Sequence, residues 1–196
     1  ALEATPWLVT ASAIAASAFG PLHLLLIGVL LIGWTVFWIA SWRALGMLGF
    51  LLASIVFGAI IWLLFGYSLA FDPGNAVVGG LGKAFLAGVG TDGMSGTIPE
   101  NVFFMFQMTF AIITPALIVG AYPERINFPA MLLFSGIWLI LVYAPVTHWV
   151  WGGGWLGAMG VMDFAGGIVV HLTAGVSALV LAVVLGGRRG FPHELR

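Results

Sequence analysis

The residue of this chain whose type and position most strongly indicate chemistry is His171, a lone ionisable side chain inside an apolar segment. No other His, Asp, Glu, Lys or Arg lies between Asp163 and Arg188. A charged group at the centre of a membrane helix costs about 2.5–3.5 kcal/mol, so such a residue usually has a function. The residues at helical spacing from it, Gly167 and Gly175 among them, are small. Small neighbours leave room for a narrow passage or for close packing of a second helix.

Four further side chains could act with His171, and each also has a purely structural interpretation. Asp163 precedes the apolar segment, where a carboxylate can cap a helix by accepting its free N–H groups or can attract a cation. Phe106 and Phe110 share one helical face, which is typical of packing as well as of a binding site. Trp151, in the sequence VWGGG, either anchors the chain at the membrane interface or presents its indole ring to a cation.

A different chemistry is indicated by the segment GMSG, whose third residue is Ser95. It fits the short GxSG pattern that surrounds the nucleophile of rhomboid-type intramembrane proteases. In that interpretation Ser95 is the nucleophile and His171 the general base. The segment lies in a glycine-rich loop rather than at the start of a membrane helix. An intramembrane serine hydrolase therefore stays as an alternative function.

The composition places the chain in the membrane before any motif is considered. Of its 196 residues, 62% are hydrophobic and 7% are charged, against about 25% charged in soluble domains. Mean hydropathy is +1.15. With no cysteine and a net charge of −1, neither a thiolate metal site nor nucleic-acid binding is expected. The chain is expected to be an integral membrane protein with lipid as its solvent.

Apolar runs of about 20 residues, the length that crosses a bilayer, predict an all-α fold. The expected architecture is a polytopic membrane helix bundle of about five transmembrane helices, forming a single domain over residues 1–196. Two outer loops, 72–101 and 151–163, separate some of these helices. His148 lies beside Trp149 near the predicted outer interface, where a polar tip costs little. The predicted spans are 22–41, 44–71, 102–122, 128–150 and 164–185.

The distribution of basic residues predicts the orientation of these spans. Five of the six lie in segments that follow the first, third and fifth spans, and only Lys83 lies on the other side. Because cytoplasmic loops carry the excess of Lys and Arg, the N-terminus is expected outside and the C-terminus in the cytoplasm. A cell (inner) membrane location is expected. The five are Arg43, Arg125, Arg188, Arg189 and Arg196.

Several segments, in this order and spacing, resemble the ammonium transporter family of ammonium, methylammonium and Rhesus-type channels. They are LLFGYSLAF, SGTIPENVFFMFQMTFAIITPALIVGAYPERINF, THWVWGGGWL and MDFAGGIVVHLTAGVSALV. The resemblance implies one inverted half of an eleven-span channel that forms trimers with one pore per subunit. It implies that Trp151 and Phe110 line an outer recruitment site, and that Phe106 and Phe110 form a gate. It also implies that Asp163 supports that site and that His171 is a pore histidine nearer the middle of the bilayer, on a common axis with the aromatic rings.

The function implied by the resemblance is transport of ammonium or ammonia, with no covalent step, metal or cofactor, and so not an enzyme. Residues 1–62 do not carry the first-span signature of the family, and the second half, with its second histidine, is not in the sequence. A complementary half, or further copies of the chain, would then be needed to line the pore. An inactive truncated half-transporter is accordingly a third hypothesis.

Overall fold

The computed structural model describes residues 46–122 and 125–187. The predicted span 22–41 and four of the five arginines that set the predicted orientation lie outside these residues. Helix α1 comprises Gly46–Ile61, a π-helical turn Trp62–Gly66, and Tyr67–Phe71. Helix α2 comprises Glu100–Ile118 and a 3-10 turn Val119–Ala121. Helix α3 comprises Phe128–Trp138, a π-helical turn Leu139–Tyr143, and Ala144–Val150; α4 is Trp155–Ala158; and α5 comprises a π-helical turn Gly167–Leu172 followed by Thr173–Leu185.

Four stretches of the described chain are long and apolar enough to cross a membrane, and each overlaps one predicted span. The last begins at Gly167 instead of residue 164, because the Asp163 side chain bonds to the N–H groups that open the helix. The third helix ends at Val150, as predicted, although its apolar stretch continues through the short α4. The four stretches are Leu52–Phe71, Glu100–Ala121, Phe128–Ala158 and Gly167–Leu185.

Aromatic side chains from α1 and α3 form the centre of the core. Trp62 is fully buried, with its ring centroid 6.0 Å from that of Tyr67 and 6.0 Å from that of Tyr143. Close approach of α1 and α3 depends on Gly136, since a Cβ there would lie 2.8 Å from the Phe57 ring. The packing of these two helices helps to fix the C-terminal end of α3, which leads into Trp151.

The segment between α1 and α2 is irregular but closely attached to the helices. It contains a 3-10 turn, Ala84–Leu86, and a small antiparallel hairpin of β1, Met94–Ser95, and β2, Ile98–Pro99. The hairpin leads directly into α2. It therefore fixes the start of α2 and, through it, the position of Phe106.

Candidate functional site

The three aromatic residues predicted for the site lie in one continuous row. Helix α2 places Phe106 and Phe110 one turn apart, with their ring centroids 5.1 Å apart and edge to face. Trp151 follows the last residue of α3, and its centroid lies 5.9 Å from that of Phe110. The row is open at one end, where Phe106 is 51% exposed. Edge-to-face pairing leaves part of each ring face available to a further group.

Trp151 is tied to the segment that begins α5. Its indole N–H donates to the main-chain carbonyl of Asp163 at 2.6 Å. The ring also lies over Gly166, where a Cβ would come within 3.6 Å of its Cη2 atom. Gly166 has a φ of +87°, a left-handed conformation that glycine adopts without strain. The orientation of the indole thus depends on the turn between Asp163 and α5.

The Asp163 carboxylate is bound entirely to the main chain at the start of α5. Oδ1 accepts from the N–H groups of Gly166 and Gly167 at 2.8 and 2.7 Å. Oδ2 accepts from those of Ile168 and Val169 at 2.8 and 2.9 Å. Partial burial alone would raise the pKa of this carboxyl, but the four N–H groups lower it below its ordinary value. This geometry is that of a helix cap, the structural one of the two interpretations offered by the sequence.

His171 lies in the π-helical turn that Asp163 caps. Its main-chain N–H donates to the Gly166 carbonyl at 2.9 Å. The hydroxyl of Thr173 donates to the Val169 carbonyl at 2.5 Å. The side chain is exposed. Within the described part of the chain the ring has no hydrogen-bond partner and forms no catalytic pair with Ser95. Ser95 itself lies in the small hairpin before α2.

The structure therefore joins Phe106, Phe110, Trp151 and Asp163 through direct contacts, and places His171 further along the helix that Asp163 caps. It also shows polar contacts that the sequence did not indicate. The side chain of His148 is buried, with 2% exposure, so its polar tip is not exposed as expected. Both ring nitrogens lie within hydrogen-bond distance of main-chain carbonyls far away in the sequence.

A second unpredicted group lies where α2 begins. The side chain of Glu100 is buried, forms an ion pair with Lys83, and accepts a hydrogen bond from the Tyr67 hydroxyl at 2.9 Å. Both charges were visible in the sequence, but only as loop residues. Their pairing holds the segment between α1 and α2 against these two helices. The signal available in the sequence was an acidic residue at the first turn of an apolar helix.

Replacing Lys83 with Met is expected to destabilise the protein by about 2 kcal/mol, because the buried carboxylate of Glu100 then keeps one donor, Tyr67. Adding Glu100→Gln should recover most of that loss, since the uncompensated charge disappears. Thermal unfolding in detergent, followed by tryptophan fluorescence, measures both effects. If the stability losses of the two single variants simply add up in the double variant, the two side chains are not energetically coupled and the pairing is contradicted.

Comparison with known proteins gives a consistent assignment. The model of the Ammonium Transporter Family matches residues 41–195. The chain is 57% identical to an ammonium transporter of Bacillus subtilis over 149 residues, covering 73% of this chain and 37% of that protein. It is 40% identical to ammonium transporter Amt1 of Archaeoglobus fulgidus over 160 residues, covering 78% and 39%.

Solved structures give the same assignment. The crystal structure of Candida albicans Mep2 matches with a TM-score of 0.68 and 33% sequence identity, covering 88% of this chain and 41% of that one. The crystal structure of Saccharomyces cerevisiae Mep2 matches with a TM-score of 0.65 and 37% sequence identity, covering 70% of this chain and 32% of that one. The chain thus spans between a third and two-fifths of the length of the two curated relatives above, 37% and 39%. These relatives are named as transporters and not as enzymes.

Proposed function

The chain belongs to the ammonium transporter family and is an integral membrane protein, and from this premise we propose that it forms part of a path for ammonium across the membrane. In this proposal the cation is recruited at Trp151 and Phe110, and ammonia then passes His171. The observation that carries the proposal is the continuous row of rings from Phe106 to Trp151, which is bonded to the Asp163 turn that opens the helix of His171.

The aromatic end of the row has the chemistry that a desolvated cation needs. Ammonium cannot leave water without new contacts, and a cation over an indole face gains about 2 kcal/mol when both are desolvated. Trp151 is half-buried beside Phe110, so water is already excluded from part of its ring. Tight binding is not required, because a conducting site must also release its ion.

His171 has the chemistry for the next step. A narrow apolar passage favours the neutral ammonia molecule over the charged ammonium ion, because a charge in such a passage lacks solvation. A neutral imidazole can donate or accept a hydrogen bond there. The ring of His171 is exposed, and within residues 46–122 and 125–187 it has no hydrogen-bond partner. It can therefore give that bond to a solute without breaking one within the described chain.

The exposure of Phe106 and His171 supports a partner that completes the passage. An imidazole facing hydrocarbon would lose its polar partners, which is unfavourable. We therefore propose that a complementary half, or further copies in a homo-oligomer such as the family's trimer, covers this side. The whole chain would form one transmembrane domain in the cell membrane, with Lys83 outside and Arg125 in the cytoplasm.

Replacing Trp151 with Leu tests the recruitment step. The KM for methylammonium uptake is expected to rise about 20-fold, the equivalent of losing a cation–π contact of nearly 2 kcal/mol. The measurement uses the complete gene product in proteoliposomes, at a pH where the substrate is protonated. His171→Leu in the same assay should chiefly lower the maximal rate.

The matched control is Trp155→Leu, since Trp155 is an exposed tryptophan of α4, shortly after Trp151, and packs on Trp149. Its KM should remain within about twofold of the unmodified protein, because surface substitutions away from the site have small effects. Equal KM values for the two variants would remove Trp151 from the recruitment site. Absence of uptake by the unmodified protein would contradict the proposed function itself.

A further inference from the structure

Three buried polar atoms, one from each of α1, α2 and α3, have no hydrogen-bond partner within the described chain. They are Nε1 of Trp62, the side-chain carbonyl oxygen of Gln107 and the hydroxyl oxygen of Tyr143. Trp62 and Tyr143 are fully buried, and Gln107 is 6% exposed. Buried polar atoms almost always bond to protein or to ordered water, so a group that bonds to no protein atom requires an explanation. The requirement is stronger in a membrane-spanning bundle, because lipid offers no partner.

The packing of Trp62 shows which way its indole N–H points. The ring contacts those of Tyr67 and Tyr143, with its centroid 6.0 Å from each. Its Cε3 edge packs against its own helix, since a Cβ at Gly66 would lie 2.7 Å from Cε3. Nε1 belongs to the opposite edge of the indole. The N–H group therefore points away from Gly66 and from the turn of α1 that contains it.

Helix α2 brings Gln107 to the same level of the bundle. The ring of Phe104 is 5.2 Å from that of Tyr67, and the hydroxyl of Thr114 lies beside that of Tyr143. Gln107 lies between Phe104 and Thr114 in the sequence and belongs with them to the buried face of α2. Because the indole of α1 contacts the same two tyrosines, the carboxamide enters the interior at the level of the indole.

The protein groups at this level do not satisfy the three atoms. The hydroxyl of Thr114 donates to the Phe110 carbonyl at 2.6 Å, and that of Thr147 donates to the Tyr143 carbonyl at 2.7 Å. Within residues 46–122 and 125–187, neither hydroxyl bonds to that of Tyr143. The three atoms are nevertheless complementary, because an indole N–H only donates, a carboxamide oxygen only accepts, and a phenol does both. One small molecule that both donates and accepts would satisfy them together.

The two helices that carry the aromatic members of this set depart from regular geometry at the same place. Trp62 is the first residue of the π-helical turn of α1, and Tyr143 is the last residue of that of α3. π-Helical turns are rare, and they occur frequently at functional sites. Their coincidence with three unpaired polar atoms is a second indication that a group binds here.

We propose that Trp62, Gln107 and Tyr143 bind an internal water molecule that joins α1, α2 and α3. Buried waters make about three hydrogen bonds each, to polar groups that the protein leaves unpaired. A cation is a poor occupant, because none of the three side chains carries a negative charge and the indole N–H would face the ion. The site does not include Trp151 or His171, so this inference stands apart from the proposed function.

A cryo-EM map of the complete protein in lipid nanodiscs, at a resolution that shows ordered water, tests the site directly. Ammonium-free buffer keeps ammonia from occupying it. We expect a density peak about 2.7–3.2 Å from Nε1 of Trp62, from the carboxamide of Gln107 and from the hydroxyl of Tyr143. A direct bond between two of these side chains, or no peak where all three are well resolved, would overturn the proposal.

Removal of single polar groups tests the same bonds by their effect on stability. Gln107→Met keeps the length of the side chain without its polar atoms, and Tyr143→Phe removes only the hydroxyl. Each variant should lower Tm by about 4 °C, because the water molecule and its remaining partners lose a bond. The double variant should lower Tm by about 5 °C, less than the sum, since both bonds are made to one molecule. Without the water molecule, removal of an unpaired buried group would raise Tm instead.

Thr173→Val is the matched control, because within the described helices the Thr173 hydroxyl bonds only to the Val169 and Val170 carbonyls of α5. Its Tm should change by less than about 1 °C. A rise or no change in the Tm of Gln107→Met would overturn the proposal, and so would losses in the two single variants that simply add. A loss in Thr173→Val as large as that in Gln107→Met would also overturn it, since the effect would then not be specific to this site. If a variant does not fold, the map of the unmodified protein decides alone.

Discussion

Replacing Gly152 with Ala is expected to prevent the turn after α3 from folding correctly. A Cβ at this position would lie 1.9 Å from the Ala70 carbonyl oxygen and 2.8 Å from both Cα and Nδ1 of His148. These are main-chain atoms and a buried ring, so neither contact can be relieved by turning a flexible side chain. The loss of stability should be about 3 kcal/mol or more, at the upper end for overpacked sites.

The neighbouring glycine provides the control for this prediction. At Gly153 a Cβ would have no atom within 4 Å, but φ is +88°, so Gly153→Ala introduces only backbone strain of about 1–2 kcal/mol. Yield in the membrane and thermal unfolding in detergent, read by tryptophan fluorescence, compare the two variants. If Gly152→Ala were the more stable of the two, the close contact with α1 would not exist in solution.

The apolar helices could be predicted from the sequence because their signal is local. A run of about 20 apolar residues is sufficient to identify a membrane helix, and the overlap of the predicted span 128–150 with α3 illustrates this. The π-helical turns could not be predicted in this way. The turn Gly167–Leu172 has the same apolar composition as an ordinary helix. It differs only in which carbonyl accepts the hydrogen bond from each N–H group.

The same difference between local and long-range signals applies to the candidate site. Helical spacing places Phe106 and Phe110 on one face, and only the resemblance assigns them, with Trp151, to a site. The contacts among the three come from the meeting of α2 with the end of α3. The environment of His148 was not accessible to either argument. Its partners lie 78 and 73 residues earlier in the chain and are main-chain carbonyls, which every residue has and no sequence pattern marks.

The second large effect is expected for Asp163→Ala. Four N–H groups at the start of α5 would lose their acceptor, and water can replace it only in part, because Asp163 is half-buried. Loss of a helix cap costs up to about 2 kcal/mol, and the upper end of that range is expected here. Transport should also fall severalfold, since the indole of Trp151 is bonded to the carbonyl of the same residue.

The matched control for removal of a negative charge is Asp92→Ala. Asp92 is exposed, and the hydrogen bond of its side chain is a weak one of 3.4 Å from the Thr91 hydroxyl. That variant should retain both stability and methylammonium uptake within the error of the assays. Equal loss of uptake in the two variants would mean that the effect comes from the lost negative charge and not from the lost cap. Normal uptake by Asp163→Ala would limit Asp163 to its structural role.

The pH dependence of stability provides the most specific test of the Asp163 cap. Partial burial opposes ionisation, but the four N–H groups outweigh it and hold the pKa of the folded state below its ordinary value. A lowered pKa means that the stabilisation is fully present above the unfolded-state pKa of about 3.9 and is lost as the pH falls toward the folded-state pKa. The difference in unfolding temperature between the unmodified protein and Asp163→Ala should therefore be constant from about pH 5 to 7 and shrink below about pH 4. A difference that persists at lower pH would mean that the ionised carboxylate is not the stabilising group, and that the start of α5 is held by its packing beneath Trp151.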